Sequence, residues 1–175
     1  SVRMRRLLDD LLDLSRSDSG RLSVVKEAVA LAEQLEKVVE MARNTLQRQL
    51  TLQLPSDPEQ REVVVQADTS RLQQVLLDLI ENADNYSPPQ RPIRLVLRLE
   101  QQAAVIDVID QGIGIPAEDL ERVFERFQRG SNAPEKTGSG LGLSVVKLLV
   151  EAMDGSIRLN SRVDDGSCFS IRLPR

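Results

Sequence analysis

Apolar side chains recur along this chain with two alternating spacings, and this alternation restricts the fold more than any other feature. Spacings of three and four residues predict amphipathic helices, at 4–14, 31–42, 72–80 and 142–153. Strict alternation, as in residues 93–99, predicts strands with one covered face. After the first helix the order is helix, strand, strand, helix, strand, strand, helix, loop, helix, strand, strand. This order predicts an α+β fold, a two-layer sandwich in which helices cover one face of a mixed sheet.

The remaining elements follow from shorter patterns. Strands are predicted at 50–54, 63–65, 104–108, 156–160 and 167–173. The residues Leu120, Val123, Phe124 and Phe127 predict a short helix. The polar, glycine-containing residues 128–140 predict a mobile loop.

The N-terminal stripe of Met4, Leu7, Leu11 and Leu14 is compatible with a heptad seam and runs into the polar segment 15–20. A helix this short is marginal alone, so we expect it to complete a bundle with helices outside this chain. We therefore expect an appendage at residues 1–20 and one domain at 21–175, and we interpret the chain as a fragment of a longer protein.

Charge and composition exclude several classes of function. The net charge is −4 and no basic cluster stands out, so no nucleic-acid partner is expected. The longest apolar runs are far shorter than a membrane span, and the single Cys168 suits the cytoplasm. The chain contains no histidine, which excludes an internal histidine base, histidine metal ligands and a catalytic triad.

Three polar segments carry candidate chemistry. Asp78 and Asn82 lie one turn apart on a predicted helix and share a face, where they could hold Mg²⁺ or simply meet solvent. Asp110, followed by Gly112 and Gly114, could accept a hydrogen bond from an amine beside a closely approached ligand, or form an ordinary turn. Both interpretations remain open from spacing alone.

The third segment, residues 138–142, reads Gly-Ser-Gly-Leu-Gly and opens a predicted helix. Backbone N–H groups at a helix start favour an anion. The segment is not a P-loop, because no Gly-Lys-Ser/Thr follows at the required spacing, and it does not follow a parallel-strand unit as a Rossmann fingerprint would.

In their order along the chain, these segments are more specific than any one alone. Asn on a helix, Asp-x-Gly-x-Gly after a strand, a Phe-rich turn and Gly-x-Gly-x-Gly before a helix resemble the N box, first glycine box, F box and second glycine box of sensor histidine kinases. The resemblance extends from about Arg21 to Pro174, and residues 1–20 resemble the end of that family's second dimerisation helix. The family implies the fold of histidine kinase, gyrase, heat-shock chaperone and mismatch-repair ATPases.

The resemblance implies a role for each matching residue. Asn82 would ligate Mg²⁺, and Asp110 would receive the adenine amino group of ATP. The residues expected around the nucleotide are Asn85, Tyr86, Gly112, Gly114, Ile115, Arg129, Lys136, Gly138, Ser139, Gly140, Leu141 and Gly142. Phe124 and Phe127 would hold the flexible lid that contains Gly138, Gly140 and Gly142, or contact the histidine-bearing helix, with plain core packing as the alternative.

Two positions depart from the family pattern, and both make the site less positive. Asp78 stands where Asn is usual, and Asn85 stands where Lys or Arg is usual. Related ATPases carry a glutamate base at the position of Asp78. Because Asp is one methylene shorter, we expect Asp78 to act on Mg²⁺ through a water or to polarise the site.

The resemblance implies phosphoryl transfer from MgATP to a histidine on a dimerisation domain, and then to a response regulator. The fragment is expected to be monomeric and its parent a homodimer, cytoplasmic at this domain and membrane-anchored elsewhere in some family members. The alternatives are an ATPase related to gyrase or the chaperones, a serine kinase of the anti-sigma type, and a nucleotide-sensing module without catalysis. The dimerisation-helix remnant disfavours the first two, and intact Asn82 and Asp110 disfavour the last.

Overall fold

Seven strands form two sheets in the computed structural model, which describes residues 2–134 and 138–175. The strands are β1 (Glu27–Ala30), β2 (Leu50–Gln53), β3 (Val64–Ala67), β4 (Ile93–Leu99), β5 (Ala103–Asp110), β6 (Ser156–Arg162) and β7 (Gly166–Pro174). β1 and β3 form an antiparallel two-stranded sheet. The other five strands have the order β2-β4-β5-β7-β6, with β2 and β4 parallel and the remaining neighbours antiparallel. The predicted mixed sheet is confirmed.

The helices are α1 (Val2–Asp18), α2 (Leu31–Arg43), α3 (Pro58–Arg61), α4 (Thr69–Tyr86) and α5 (Gly142–Ala152). Within the described part of the chain, no helix is both long and apolar enough to cross a membrane. α4 packs on α2 and on α5, and all three helices pack on the large sheet. Their apolar stripes supply fully buried side chains such as Leu35, Leu76 and Leu149. The sheet contributes Ile106 and Phe169, so the predicted two-layer α+β architecture is confirmed.

Three elements differ from the sequence prediction, and one of them is α3, a single helical turn that was not predicted. The short helix predicted from Leu120 to Phe127 is wrong: the chain makes two 3-10 turns there, at Ala117–Asp119 and Arg122–Phe124. Phe127 then adopts a φ of 61°, and its N–H donates to the carbonyl of Gly140, 2.9 Å away. Helical spacing is interrupted because this backbone pairs with the second glycine segment instead of continuing a helix. The third difference is β1, which is too short for its alternation to stand out.

Helix α1 lies against α4 and α5. Asp13 is buried and accepts hydrogen bonds from Arg71 Nη1 at 2.9 Å and Gln74 Nε2 at 3.2 Å. The helix extends beyond the predicted end at Ser15, because its last turns close through backbone bonds before Gly20 adopts a positive φ of 68°. One face of α1 is nevertheless exposed, including Met4, Leu8 and Leu12.

Candidate functional site

A cavity of about 540 Å³ lies between α4, the end of β5, the segment leading into α5, and α1. Most of the residues singled out from the sequence line it: Asp78, Asn82, Asn85, Tyr86, Asp110, Gly114, Ile115, Arg129, Gly138, Ser139, Gly140 and Gly142. Gly112 and Leu141 are not among the lining residues, and Lys136 lies outside the described residues. Leu141 is fully buried in the core, where it anchors the start of α5. The structure therefore brings together predicted residues that lie up to 64 positions apart in the sequence, from Asp78 to Gly142.

Helix α4 presents its polar face to the cavity because its other face is apolar and buried. Asp68 caps the helix by accepting a hydrogen bond from the Arg71 N–H at 3.1 Å. Helical periodicity then places Asp78, Asn82 and Asn85 on the cavity side. The opposite face carries Leu72, Val75, Leu76, Leu79, Ile80 and Ala83 in the core.

The C-terminal end of α4 is held by Arg48, a residue that the sequence analysis did not single out. Its side chain is only 5% exposed and its Nε donates to Asp84 Oδ1 at 2.5 Å. Its Nη2 donates to the carbonyls of Asp84 and Ser87 at 3.0 and 2.9 Å. The last carbonyls of a helix have no intrahelical partner, and this arginine satisfies that of Asp84 together with the carbonyl of Ser87, which follows the helix. No local pattern marks Arg48, because its partners are more than 30 residues away.

Asp110 ends β5 and is 5% exposed. Its Oδ1 accepts hydrogen bonds from the backbone N–H groups of Gly112 at 2.8 Å and Ser167 at 3.2 Å. Burial raises the pKa of Asp110, and these two backbone bonds partly oppose the rise. The carboxylate is thus held in one orientation at the inner end of the cavity, where it can accept a hydrogen bond from a ligand.

The first glycine segment, residues 110–115, can follow its path only with glycine at two positions. A Cβ at Gly112 would lie 2.2 Å from the Tyr86 carbonyl oxygen. Gly114 has a φ of 70°, and a Cβ there would lie 1.7 Å from the Arg162 carbonyl oxygen. Gly112 therefore contributes to the cavity without lining it, because the absence of a Cβ lets the chain pass against the end of α4.

The segments around residues 128–134 and 138–142 form the outer side of the cavity. Ser131 donates to the buried Asp119 through its N–H at 2.8 Å and its hydroxyl at 2.7 Å. Asn132 Nδ2 donates to the Gly114 carbonyl at 3.1 Å, which links this segment to the first glycine segment. Arg129 bonds to the Pro134 carbonyl. These contacts anchor part of the segment that the sequence predicts to be a mobile loop.

The two phenylalanines of the Phe-rich turn have different environments. Phe124 packs edge-to-face on Phe169, with ring centroids 6.2 Å apart and planes at 85°. Phe127 is 66% exposed. The core-packing interpretation therefore applies to Phe124, while Phe127 presents an apolar surface to solvent.

Helix α1 also contributes to the cavity, which the sequence analysis did not predict. Arg3, Arg6, Leu7 and Asp10 line it. Arg6 forms an ion pair with Glu81, and its Nε lies 3.8 Å from Asp78 Oδ1. Only helical amphipathicity was readable from residues 1–20, and amphipathicity does not say which surface a helix covers.

Two carboxyl groups where α1 meets α4 have raised pKa values. Burial raises the pKa of Asp78 to about 7, although the nearby Arg6 guanidinium opposes the rise. Burial likewise raises the pKa of Asp10 to about 6, again opposed by Arg6. The Asp78 carboxyl group therefore changes its charge near neutral pH.

Comparisons with known proteins agree with this geometry. A profile described as histidine kinase-, DNA gyrase B-, and HSP90-like ATPase matches residues 67–175. The chain is 31% identical to the sensor protein KdpD of Escherichia coli (strain K12) over 97% of its own length and 19% of that protein. It is 34% identical to the circadian input-output histidine kinase CikA of Synechococcus elongatus (strain ATCC 33912 / PCC 7942 / FACHB-805), over 96% of this chain and 23% of that protein.

A solved mycobacterial sensor histidine kinase, MprB, superposes with a TM-score of 0.72 at 29% identity. The match covers 86% of this chain and 97% of that one. The chain thus spans about a fifth of the length of the curated relatives described above and is homologous to the catalytic portion of sensor histidine kinases. With its four motif segments around one cavity, this chain belongs to the family of histidine kinase-, DNA gyrase B-, and HSP90-like ATPases.

Proposed function

We propose that this chain binds MgATP and transfers its γ-phosphoryl group to a histidine on a separate helical domain, as the catalytic part of a two-component sensor kinase. The observation that carries the proposal is the meeting of Asn82 and Asp110 in one cavity bounded by the second glycine segment. Asp110 provides a fixed acceptor at one end, and the amide of Asn82 provides an oxygen ligand further along the same cavity.

Recognition of adenine would depend on Asp110. An exocyclic amine donates well to a carboxylate, and two backbone N–H groups already hold Asp110 in place. Ile115 and Tyr86 line the same cavity and offer apolar surface to the base. Gly112 and Gly114 contribute through close backbone packing rather than through a side chain.

The phosphates would occupy the end of the cavity formed by Asn85, Arg129 and the second glycine segment, with Ser139 as a hydroxyl donor. Lys136, Gly138, Gly140, Leu141 and Gly142 belong to the same proposal. The donor set fits Mg²⁺, which prefers oxygen ligands and shares them with phosphates: Asn82 would hold the ion directly, and Asp78 through a water. Bound there, Mg²⁺ would neutralise charge on the phosphates.

Transfer requires an acceptor that this chain does not contain, since it has no histidine. A neutral imidazole is already nucleophilic, so this domain need mainly hold the phosphates in place and stabilise their charge. We propose that the acceptor lies on the dimerisation domain of the same kinase, to which residues 1–20 would belong, and that a response regulator receives the phosphoryl group next.

The test is transfer from radiolabelled MgATP to a separately supplied dimerisation domain that carries a histidine. The chain alone should remain unlabelled, and the added domain should acquire an acid-labile label. Acid-stable label on the chain itself would instead indicate a hydroxyl acceptor and a serine kinase.

A further inference from the structure

The nucleotide cavity is built in part by α1, a helix outside the four motif segments. Arg3 and Arg6 of α1 line the cavity, and Arg6 is ion-paired with Glu81, the residue just before Asn82. Arg6 Nε also lies 3.8 Å from Asp78, one turn before Asn82. The guanidinium group therefore lies beside the Asn82 end of the cavity.

The charges around the cavity explain why such a residue matters. Among the described residues that line it, the charged side chains outside α1 are three carboxylates, Asp78, Glu81 and Asp110, and one arginine, Arg129. A triphosphate is strongly anionic, so carboxylates within a few ångströms would oppose its binding. Asn85 is neutral at a position where the family resemblance implies Lys or Arg.

Helix α1 changes this balance. It supplies two of the three arginines found among the described lining residues, together with one further carboxylate, Asp10. A guanidinium group has five N–H donors in a planar fork, which suits carboxylate and phosphate oxygens alike. The Arg6 side chain is 44% exposed, so its head group has room to turn from Glu81 toward an incoming phosphate.

We propose that Arg6 of α1 is a phosphate-contacting residue of this site, so that the site is complete only when α1 lies against α4. The inference rests on the proposed binding of MgATP. It assigns the phosphates of a nucleoside triphosphate as the ligand of Arg6. Docking of α1 and binding of the triphosphate then favour each other by the same factor, as linkage requires.

The first experiment compares MgATP with adenosine, which lacks phosphates, as ligands of the 175-residue chain. Arg6→Ala should weaken MgATP binding by about tenfold or more, the equivalent of one charge-assisted hydrogen bond, and leave adenosine binding within about twofold. Arg6→Lys should retain most of the affinity because it keeps the charge. Arg5→Ala is the matched control, since Arg5 is exposed on the same helix and is not among the cavity-lining residues.

The second experiment separates direct contact from simple neutralisation of Glu81. In the Glu81→Gln variant, position 81 has no carboxylate that could repel the phosphates once Arg6 is removed. Any loss of MgATP affinity on adding Arg6→Ala therefore reflects the missing contact with phosphate. We expect the double variant to bind MgATP about tenfold more weakly than Glu81→Gln alone. Equal affinity of these two variants would overturn the proposal.

Other outcomes are also decisive. Tighter MgATP binding by Arg6→Ala would show that Arg6 obstructs the site, and an equal loss for adenosine would show a general structural role; either overturns the proposal. If the unsubstituted 175-residue chain bound neither MgATP nor adenosine, the proposed function itself would be refuted. If the unsubstituted chain bound MgATP and Arg6→Ala bound it equally well, only the inference about Arg6 would be refuted.

Discussion

The two ends of the cavity are built very differently. At the Asp110 end, the Ile113 N–H donates to the Tyr86 carbonyl at 3.1 Å, and the Asp164 N–H donates to the Ile113 carbonyl at 2.8 Å. The Ile115 N–H donates to Ser161 Oγ at 2.8 Å. The first glycine segment is thus tied to α4, to β6 and to the β6–β7 turn.

The opposite end is more open. Gly138 and Ser139 are exposed, and a Cβ added to Gly138 would meet no heavy atom within 4 Å. Positive charge at this end comes from Arg129 and from α1. Under the proposed function, the rigid end would recognise the flat base, and the more open end would admit the phosphates and the acceptor histidine.

The largest effect is expected from Asn82→Ala, which alters only the adaptable end. Loss of the amide oxygen removes the proposed Mg²⁺ ligand, and a metal contributes several kcal/mol to charge stabilisation, so transfer should fall about 1,000-fold or more. Adenosine affinity, measured in the same preparation, should stay near that of the unsubstituted chain. Near-parental transfer by this variant would exclude Asn82 as the metal ligand.

Hydrogen exchange of the chain without nucleotide measures the contrast directly. The amides of Gly112, Ile113 and Ile115 donate to partners within the fold, so they should exchange about 100-fold or more slowly than those of residues 138–140. Ser131 provides an internal reference, because its N–H is bonded to Asp119 in the otherwise exposed outer segment. Equal protection at both ends would remove the distinction.

Asp110→Asn should alter the rigid end and leave the fold intact. The neutral amide loses a charge-assisted hydrogen bond of about 1.5–3 kcal/mol, or roughly 10–100-fold in affinity. Unlike Arg6→Ala, this variant should weaken adenosine and MgATP alike, which calorimetry or an NMR titration with each ligand can show. Unchanged affinity for both would place the adenine elsewhere.

The smallest effect is expected from Asp78→Asn, and it depends on pH. Burial raises the pKa of Asp78 to about 7 in the folded chain. The stabilisation from its protonated form is therefore complete only at a pH below the pKa that Asp78 has in the unfolded chain, and it is lost as the pH rises through 7. Asn stays neutral, so the Tm of the variant relative to the parent should increase between pH 4 and pH 8. The expected increase is at least about 2–4 °C, which corresponds to 1 kcal/mol in a domain of this size.

Two further measurements complete this test. Asp9→Asn, at an exposed position of α1, is the matched control for the same change of side chain. Transfer to histidine should be kept or improved in Asp78→Asn, because Asn is the residue that the family resemblance implies. A loss of transfer of about 100-fold, with MgATP affinity unchanged, would instead show that the Asp78 carboxylate is catalytic and that our role for it is mistaken.

The parts of the fold that were predictable depend on local properties. The periods of apolar residues identified α2, α4, α5 and the β4–β5 hairpin, because one turn of helix or two residues of strand already determine which side chains share a face. The cavity-lining positions of Asn82 and Asp110 were predictable for a related reason. Their chemical type and motif context can be read from the sequence, although their roles remain proposals.

The sequence by itself determined the order of most elements, the α+β class and the four motif segments, because each helix, strand or motif is encoded in a short run of consecutive residues. Only the tertiary structure decided that β1 pairs with β3, that Arg48 closes the end of α4, and that Arg6 faces Glu81. Each of these contacts joins residues more than 30 positions apart. Their formation depends on how whole helices and sheets pack, and an amphipathic pattern reveals that a face will be covered but not by what.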